Sequence, residues 1–334
     1  MTSVVIAGLG RIGVGNKGLA GEIPLSHLSA AMAVPGVRVV GLVDAVPARL
    51  DEIRGEYSGQ FANVAMSESL SALDIQRCDV VVIATPPEFR PAAVEEALSL
   101  KPKLLLLEKP VASDLVSTRR IVETIDAAGT ALRVNIHRRF DRRHLQWRQR
   151  APQKPTLVTM RYAKGLMNYG SHLIDLLMDW YGPVEMVQSM GDLRSTADGN
   201  DSVLSFRCRM SKGFDAFILG MDELQYDQHE IDIFAPEGRL EIAAGGAEFR
   251  WHRPVPDKHY VGYEHLGADE SEVDVGPVGG FLEIYQAIHG FIANDAGLPG
   301  CTGAEAVANS AVLDAALRSA AADNIKIAPE ITLA

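Results

Sequence analysis

Four short apolar runs in the first 110 residues constrain the fold more than any other feature of this chain. Val4-Val5-Ile6-Ala7, the stretch from Val37 to Val43, Val80-Val81-Val82-Ile83 and Leu104 to Leu107 are each too short for a buried helix. All but the last are mostly β-branched. Runs of this kind suit strands covered on both faces, as in the centre of a parallel sheet. Between them, Leu25 to Ala33, Ala48 to Tyr57 and Pro91 to Ser99 have helical patterning, and Leu115 to Ala127 precedes a further strand at Ala131 to Val134. Strand and helix alternating at this pitch predict a doubly wound α/β domain over residues 1–135.

Past residue 135 the texture changes. Leu157 to Tyr162, Ser202 to Met210, Phe214 to Gly220, His229 to Phe234 and Gly238 to Ile242 read as antiparallel strands. Helices are expected at Ser171 to Tyr181, Phe281 to Asn294 and Ala304 to Ala322, and the acid-rich stretch from Glu264 to Asp274 is expected to be an exposed loop. The prediction for residues 136–334 is an α+β domain with a large, mostly antiparallel open sheet.

Composition narrows the partners. The 334 residues carry 32 Lys and Arg against 43 Asp and Glu, a net charge of −11. That balance argues against nucleic acid, because neutralising phosphates takes clustered cations. The basic run Arg138, Arg139, Arg142, Arg143, Arg148, Arg150 and Lys154 is then read as a solvated surface. Cys78, Cys208 and Cys301 show no disulfide or metal-ligand spacing, so no metal is expected and a reducing cytoplasm fits. The apolar run 104–107 is far too short to span a bilayer, and no membrane partner is expected.

The motifs carry the chemistry. Gly8-Leu9-Gly10-Arg11-Ile12-Gly13 follows the first strand directly. In such a turn the first glycine permits the bend, the second admits a pyrophosphate and the third lets helix and strand pack closely. The second strand ends at Asp44, whose carboxylate can accept from both adenosine ribose hydroxyls and repel a 2′-phosphate, which favours NAD. Arg49 lies close enough in sequence to keep NADP as a second candidate. Asp44 also lies further beyond Gly13 than the ~20 residues of the usual fingerprint, the surplus being the glycine-bearing loop Val14 to Glu22, read as a cofactor lid or a surface insertion. Lys109 stands at the carboxyl end of the Leu104 to Leu107 run, where such a sheet opens its ligand crevice, and Pro110 biases it toward an extended backbone.

Together with Ala84-Thr85-Pro86-Pro87, Glu108-Lys109-Pro110 and Gly170-Ser171-His172 with Asp175, these motifs resemble the glucose-fructose oxidoreductase and inositol 2-dehydrogenase family, Gfo/Idh/MocA, over essentially the whole chain. The resemblance implies hydride transfer between a nicotinamide cofactor and a sugar-like or cyclitol carbon. It also implies homodimers or homotetramers formed through the C-terminal sheet. Carried onto this sequence, it makes Lys109 and His172 the catalytic residues. Cofactor contacts fall on Gly8, Gly10, Arg11, Ile12, Gly13, Asp44, Ala84, Thr85, Pro86, Pro87, Glu108, Lys109 and Asn135. Chemistry supports the pair: oxidising an alcohol needs a group titrating near neutrality at its oxygen, as histidine does, and an ammonium to stabilise the developing alkoxide.

Substrate candidates are Arg139, Arg161, Tyr162, Lys164, Asn168, Tyr169 and Asp175, the last also placed to orient His172. Many dehydrogenases of the family carry aspartate four residues before the histidine, where this chain has Asn168, which cannot accept a proton. The surrounding segment looks more like relatives from bacterial surface-sugar biosynthesis, whose substrates include nucleotide-linked sugars. The same fold also includes a non-catalytic dinucleotide-binding regulator, and sugar lyases and glycosidases that work by transient oxidation.

Overall fold

The computed structural model describes residues 1–15, 23–57, 59, 61, 63–221 and 226–331. The chain divides into two compact units, Met1–Asp141 with Gly279–Val307, and Arg142–Val278 with Ala308–Thr332.

In the first unit the apolar runs are strands. β1 (Thr2–Ala7), β2 (Val37–Val43), β3 (Ala65–Ser67), β4 (Val80–Ile83), β5 (Leu104–Leu107) and β6 (Ala131–Val134) form one sheet in the order β3-β2-β1-β4-β5-β6. Every pairing is parallel. This is the doubly wound order, whose switch point lies between β1 and β4. Crossovers are made by α1 (His27–Ala33), α2 (Pro47–Glu56), α3 (Arg90–Ser99) and α4 (Leu115–Ala127). Local chemistry starts two of them: Ser26 Oγ accepts from Ser29 N–H ahead of α1, and Asp114 Oδ1 accepts from Ser117 N–H at 2.8 Å ahead of α4. β4 and β5 are buried throughout, which explains why they lack alternation.

The second unit begins with α5 (Arg142–Arg150), β7 (Leu157–Tyr162), α6 (Ser171–Tyr181), β8 (Val184–Ser189) and the two-stranded hairpin of β9 (Arg194–Ser195) and β10 (Ser202–Val203). β11 (Phe206–Met210), β12 (Asp215–Gly220), β13 (His229–Ala235), β14 (Gly238–Ala243), β15 (Glu248–Pro256) and β16 (Glu264–Val275) follow. Eight strands make a sheet in the order β16-β15-β14-β13-β7-β12-β11-β8, antiparallel except for β7 beside β12. Alternate residues of β7, Val158, Met160 and Tyr162, face a core shared with Leu173, Ile174 and Leu177 of α6. That core also takes in Val312 and Leu313 of the final helix, counted below as α8.

Three sequence expectations change. The acid-rich stretch Glu264–Val275 is the edge strand β16: ladder pairing with β15 satisfies its backbone, Glu272 accepts from Arg150 and Arg253, and Asp274 accepts from Trp147 Nε1. The strand expected over Ser202 to Met210 breaks between β10 and β11, and Glu248–Pro256 is a strand that alternation did not reveal. Finally, α7 (Phe281–Asn294) belongs with the first unit although it follows the second in sequence. Its Phe281, Ile284, Tyr285 and Ile288 are buried in the same core as Val4, Ile6 and Leu28. α8 (Gly303–Ala321) ends the helical inventory. Among the described residues no helix is long and apolar enough to cross a membrane.

Candidate active site

The turn after β1 is shaped by what cannot be accommodated there. Gly8 has φ +91°, and a Cβ on it would press against the Ala84-Thr85 backbone at 2.6–2.8 Å. A Cβ on Gly13 would strike the Gly8 carbonyl oxygen. Gly10 differs: among the described residues nothing beyond its chain neighbours lies within 4 Å of the Cβ position. Packing within the chain therefore explains the first and third glycines, and open space in front of the second is where a pyrophosphate would approach. Arg11 and Ile12 enter the wide turn Arg11–Gly15. The rest of the loop expected over Val14 to Glu22, residues 16–22, lies outside the described residues.

Asp44 closes this half-site. Its Oδ2 accepts from Leu9 N–H at 2.8 Å and its Oδ1 from Val46 N–H at 2.9 Å, so it anchors the glycine turn as well as facing it. A carboxylate offers about four acceptor positions, leaving room for ribose hydroxyls. Arg49 donates to the Leu9 carbonyl at 2.7 Å and pairs with Glu52 at 2.8 Å, binding the turn from the other side.

On the neighbouring strand ends, Ala84 to Pro87 follow β4 and Glu108 and Lys109 follow β5. The Lys109-Pro110 bond is cis, and Lys109 is half-buried. Glu108 was expected to touch cofactor; it turns inward instead. Its Oε1 meets His27 Nε2 at 3.0 Å and accepts from Asn135 Nδ2, while its main-chain carbonyl accepts from the buried Arg90. His27 Nδ1 in turn meets Tyr285 Oη at 3.1 Å. Burial alone would raise the Glu108 carboxyl, but the bonds from His27 and Asn135 and the charge of Arg90 outweigh it and hold the group down to about 2. Burial lowers Arg90 to about 10. Glu108 is thus a buttress beneath Lys109, and His27 is a partner the sequence did not announce, since a lone histidine opening a helix has no spacing signal.

Two buried polar atoms at these strand ends, Thr85 Oγ1 and Asn135 Oδ1, have no hydrogen-bond partner among the described residues. Buried polar groups are nearly always satisfied. Orphans after β4 and β6, in the sheet whose β1 end carries the glycine turn, fit a polar ligand lying across these carboxyl ends, as a dinucleotide would.

The second unit carries the histidine. His172 lies in the first turn of α6 and Asp175 in the next, and they are 5% and 0% exposed. The His172 ring meets His229 edge-to-face at 6.3 Å, and His229 meets Tyr169 at 5.9 Å. His229 is a second histidine that sequence reasoning passed over as a plain strand start. Lys164 pairs with Asp227 and stands 5.8 Å from the Tyr169 ring centroid. Asn168 is exposed and, with Lys164, Thr196, Asn200 and Asp201, lines a cavity of about 470 Å³.

Three further expected substrate residues have protein partners of their own. Arg161 points to the opposite face of the sheet, bound to Glu230 at 3.0 Å and Asp232 at 2.8 Å, because its neighbour Tyr162 takes the core side of the strand. Tyr162 is fully buried, its hydroxyl donating to the Leu204 carbonyl at 2.8 Å and accepting from Leu204 N–H at 3.1 Å. Arg139, in the first unit, is ion-paired with Glu305 at 2.7 Å. Among the described residues no group of three or more His, Cys, Asp or Glu is arranged to hold a metal.

A family model described as an oxidoreductase family with an NAD-binding Rossmann fold matches residues 2–136. An inositol 2-dehydrogenase of Rhizobium meliloti is 31% identical over 122 residues, a match spanning 36% of this chain and 35% of that relative. The scyllo-inositol dehydrogenase of Lactobacillus casei superposes with a TM-score of 0.69 at 19% identity, covering 98% of this chain and 99% of that one. The WlbA dehydrogenase of Bordetella pertussis, solved with NADH and UDP-GlcNAcA, does so with a TM-score of 0.72 at 21% identity, covering 98% of each chain. These two structures share the fold.

Proposed function

We propose that this chain, whose residues 2–136 belong to the oxidoreductase family with an NAD-binding Rossmann fold, is an NAD-dependent dehydrogenase acting on a secondary alcohol or ketone of a cyclitol or sugar. The observation that carries this reading is the half-site at the sheet's switch point. There an open glycine cradle, two orphaned buried polar atoms and Lys109 stand at adjacent strand ends. NAD, when bound, supplies the hydride acceptor. The cradle of Gly8, Gly10 and Gly13 receives its pyrophosphate, Asp44 its ribose, and Thr85 and Asn135 its remaining polar edge.

His172 takes the hydroxyl proton as the alcohol is oxidised, and Lys109 stabilises the alkoxide that develops. Asn168, where relatives use aspartate, hydrogen-bonds a substrate hydroxyl without sharing the proton, so base catalysis falls on His172 alone. Asp44 at the second strand end supports NAD over NADP, since a carboxylate there repels a 2′-phosphate. The inositol 2-dehydrogenase match supports a cyclitol as the first substrate to try. A nucleotide-linked sugar is the second, on the surface-sugar look of the segment around Asn168.

The enzyme works as a homodimer or homotetramer through the outer face of its eight-stranded sheet. Supporting this, Leu157, Phe217, Leu219 and Phe234 stand half-buried there beside the Arg161, Glu230 and Asp232 ion pairs. Three buried free cysteines fit a cytoplasmic setting.

The test is formation of reduced nicotinamide by purified protein with NAD⁺ or NADP⁺ and a panel of myo-inositol, scyllo-inositol, glucose and UDP-, GDP- and CMP-linked sugars. Turnover of a panel member with NAD⁺ preferred is expected. Cofactor binding without turnover of any would favour the regulator reading. Substrate consumption with no net change in cofactor redox state would favour a lyase or glycosidase using transient oxidation.

A further inference from the structure

The backbone entering the histidine helix is forced. Lys164 and Gly165 lie at φ 62° and φ 92°, the latter with ψ 150°, a conformation open in practice only to glycine. The next five residues, Leu166–Gly170, form one wide turn leading directly into α6.

That turn is held from outside by a single carboxylate. Asp201 Oδ1 accepts from Met167 N–H at 3.0 Å, and Oδ2 accepts from Asn168 N–H at 2.9 Å. Gly165 lacks a side chain where a Cβ would strike this same carboxylate. Asp201 is itself fixed at the end of the β9–β10 hairpin. Its N–H donates to Thr196 Oγ1 at 3.1 Å, Thr196 donates to Asp198 at 2.6 Å, and Ser202 N–H adds a 2.7 Å bond to Oδ1. From the other end, Ser171 Oγ donates to the Met167 carbonyl at 2.7 Å, and Asn309 of α8 donates to the Ser171 carbonyl at 2.8 Å.

We propose that Asp201 is a positioning residue for the reaction. By clamping the 166–170 turn to the β9–β10 hairpin, it fixes Asn168 on the cavity wall and sets the start of the helix that presents His172. The inference rests on the dehydrogenase reading above. Bonds from amides to an ionised carboxylate are the stronger kind, and two successive ones leave the turn little freedom. Without them, Met167 and Asn168 lose their partners and the backbone at 164–165 is free to relax. A displacement near 1 Å in a proton-transferring group costs about 10²-fold in rate.

The experiment compares Asp201→Asn, Asp201→Ala and Gly165→Ala with wild type and His172→Ala. The probe is NAD⁺ with myo-inositol, or with whichever polyol turns over fastest. Asp201→Ala is expected to lower kcat about 10²-fold and Asp201→Asn about tenfold, the loss of one charged hydrogen bond. NAD⁺ affinity should stay close to wild type, the melting temperature should fall by only the several degrees that losing local bonds costs, and amide exchange at 167 and 168 should accelerate. Gly165→Ala, which displaces the carboxylate, should reproduce the kcat loss, and the Gly165→Ala/Asp201→Ala pair should lose less than the two effects multiplied. Wild-type kcat in Asp201→Ala with an inactive His172→Ala would overturn this inference alone. So would a loss of activity matched by equal losses of NAD⁺ binding and heat stability. Full turnover in His172→Ala would overturn the reading beneath it.

Discussion

Glu108 and the glycines of the first turn show how single residues divide between holding the fold and holding a ligand. Because the folded Glu108 carboxyl sits near 2 against an ordinary 4.5, its stabilisation is present above about pH 4.5 and is lost as pH falls toward 2. Glu108→Gln is therefore expected to cost roughly 3 kcal/mol at neutral pH, with the gap to wild type closing in acid; denaturant titrations at several pH values check it. The glycines separate in the same way. Gly13→Ala should lower the melting temperature, since its Cβ would strike the Gly8 carbonyl. Gly10→Ala meets no atom of the described residues beyond its chain neighbours within 4 Å, so it should fold normally and weaken NAD⁺ binding measured by calorimetry. The glycine roles were legible in sequence because backbone geometry is local. The inward turn of Glu108 was not, because it depends on His27 and Asn135, distant along the chain.

Elements were legible where one physical pattern dominated. β4 and β5 are fully buried and read as unbroken apolar runs, and in the structure α4 starts at a cap from Asp114. Asp114→Ala should accordingly cost about 1 kcal/mol in stability, measurable by chemical unfolding. Edge strand β16 was not legible, since its polar residues lie on a strand whose partner, β15, itself shows little alternation. Arg161 and Tyr162 illustrate the same limit: neighbours on β7 must face opposite sides, yet sequence alone did not say which side held the core. The α7 segment posed another problem, because its apolar face finds its core with strands from the far end of the chain. Ile284→Ala in that face is expected to destabilise by roughly 2–5 kcal/mol, read from thermal or denaturant unfolding.

At the scale of the molecule, two units each hold half of the proposed chemistry: the cofactor cradle with Lys109 in one, His172 with its ring partners in the other. The doubly wound α/β class could be read from four apolar runs and a glycine turn. The histidine's surroundings could not, because His229 meets it from β13 while Asp201, before β10, holds the turn that leads into its helix. A net charge of −11 sets the solution behaviour of the whole and disfavours polyanionic partners. The central claim, that this is a working dehydrogenase and not a cofactor-binding protein alone, is tested most directly by Lys109→Ala with NAD⁺ affinity and substrate turnover measured on the same preparation. The account predicts NAD⁺ binding weakened by no more than about tenfold, the loss of one polar contact, and a fall in kcat/KM of about 10²–10³-fold, the scale of losing one electrostatic stabiliser of a developing oxyanion; undiminished turnover in Lys109→Ala would contradict it.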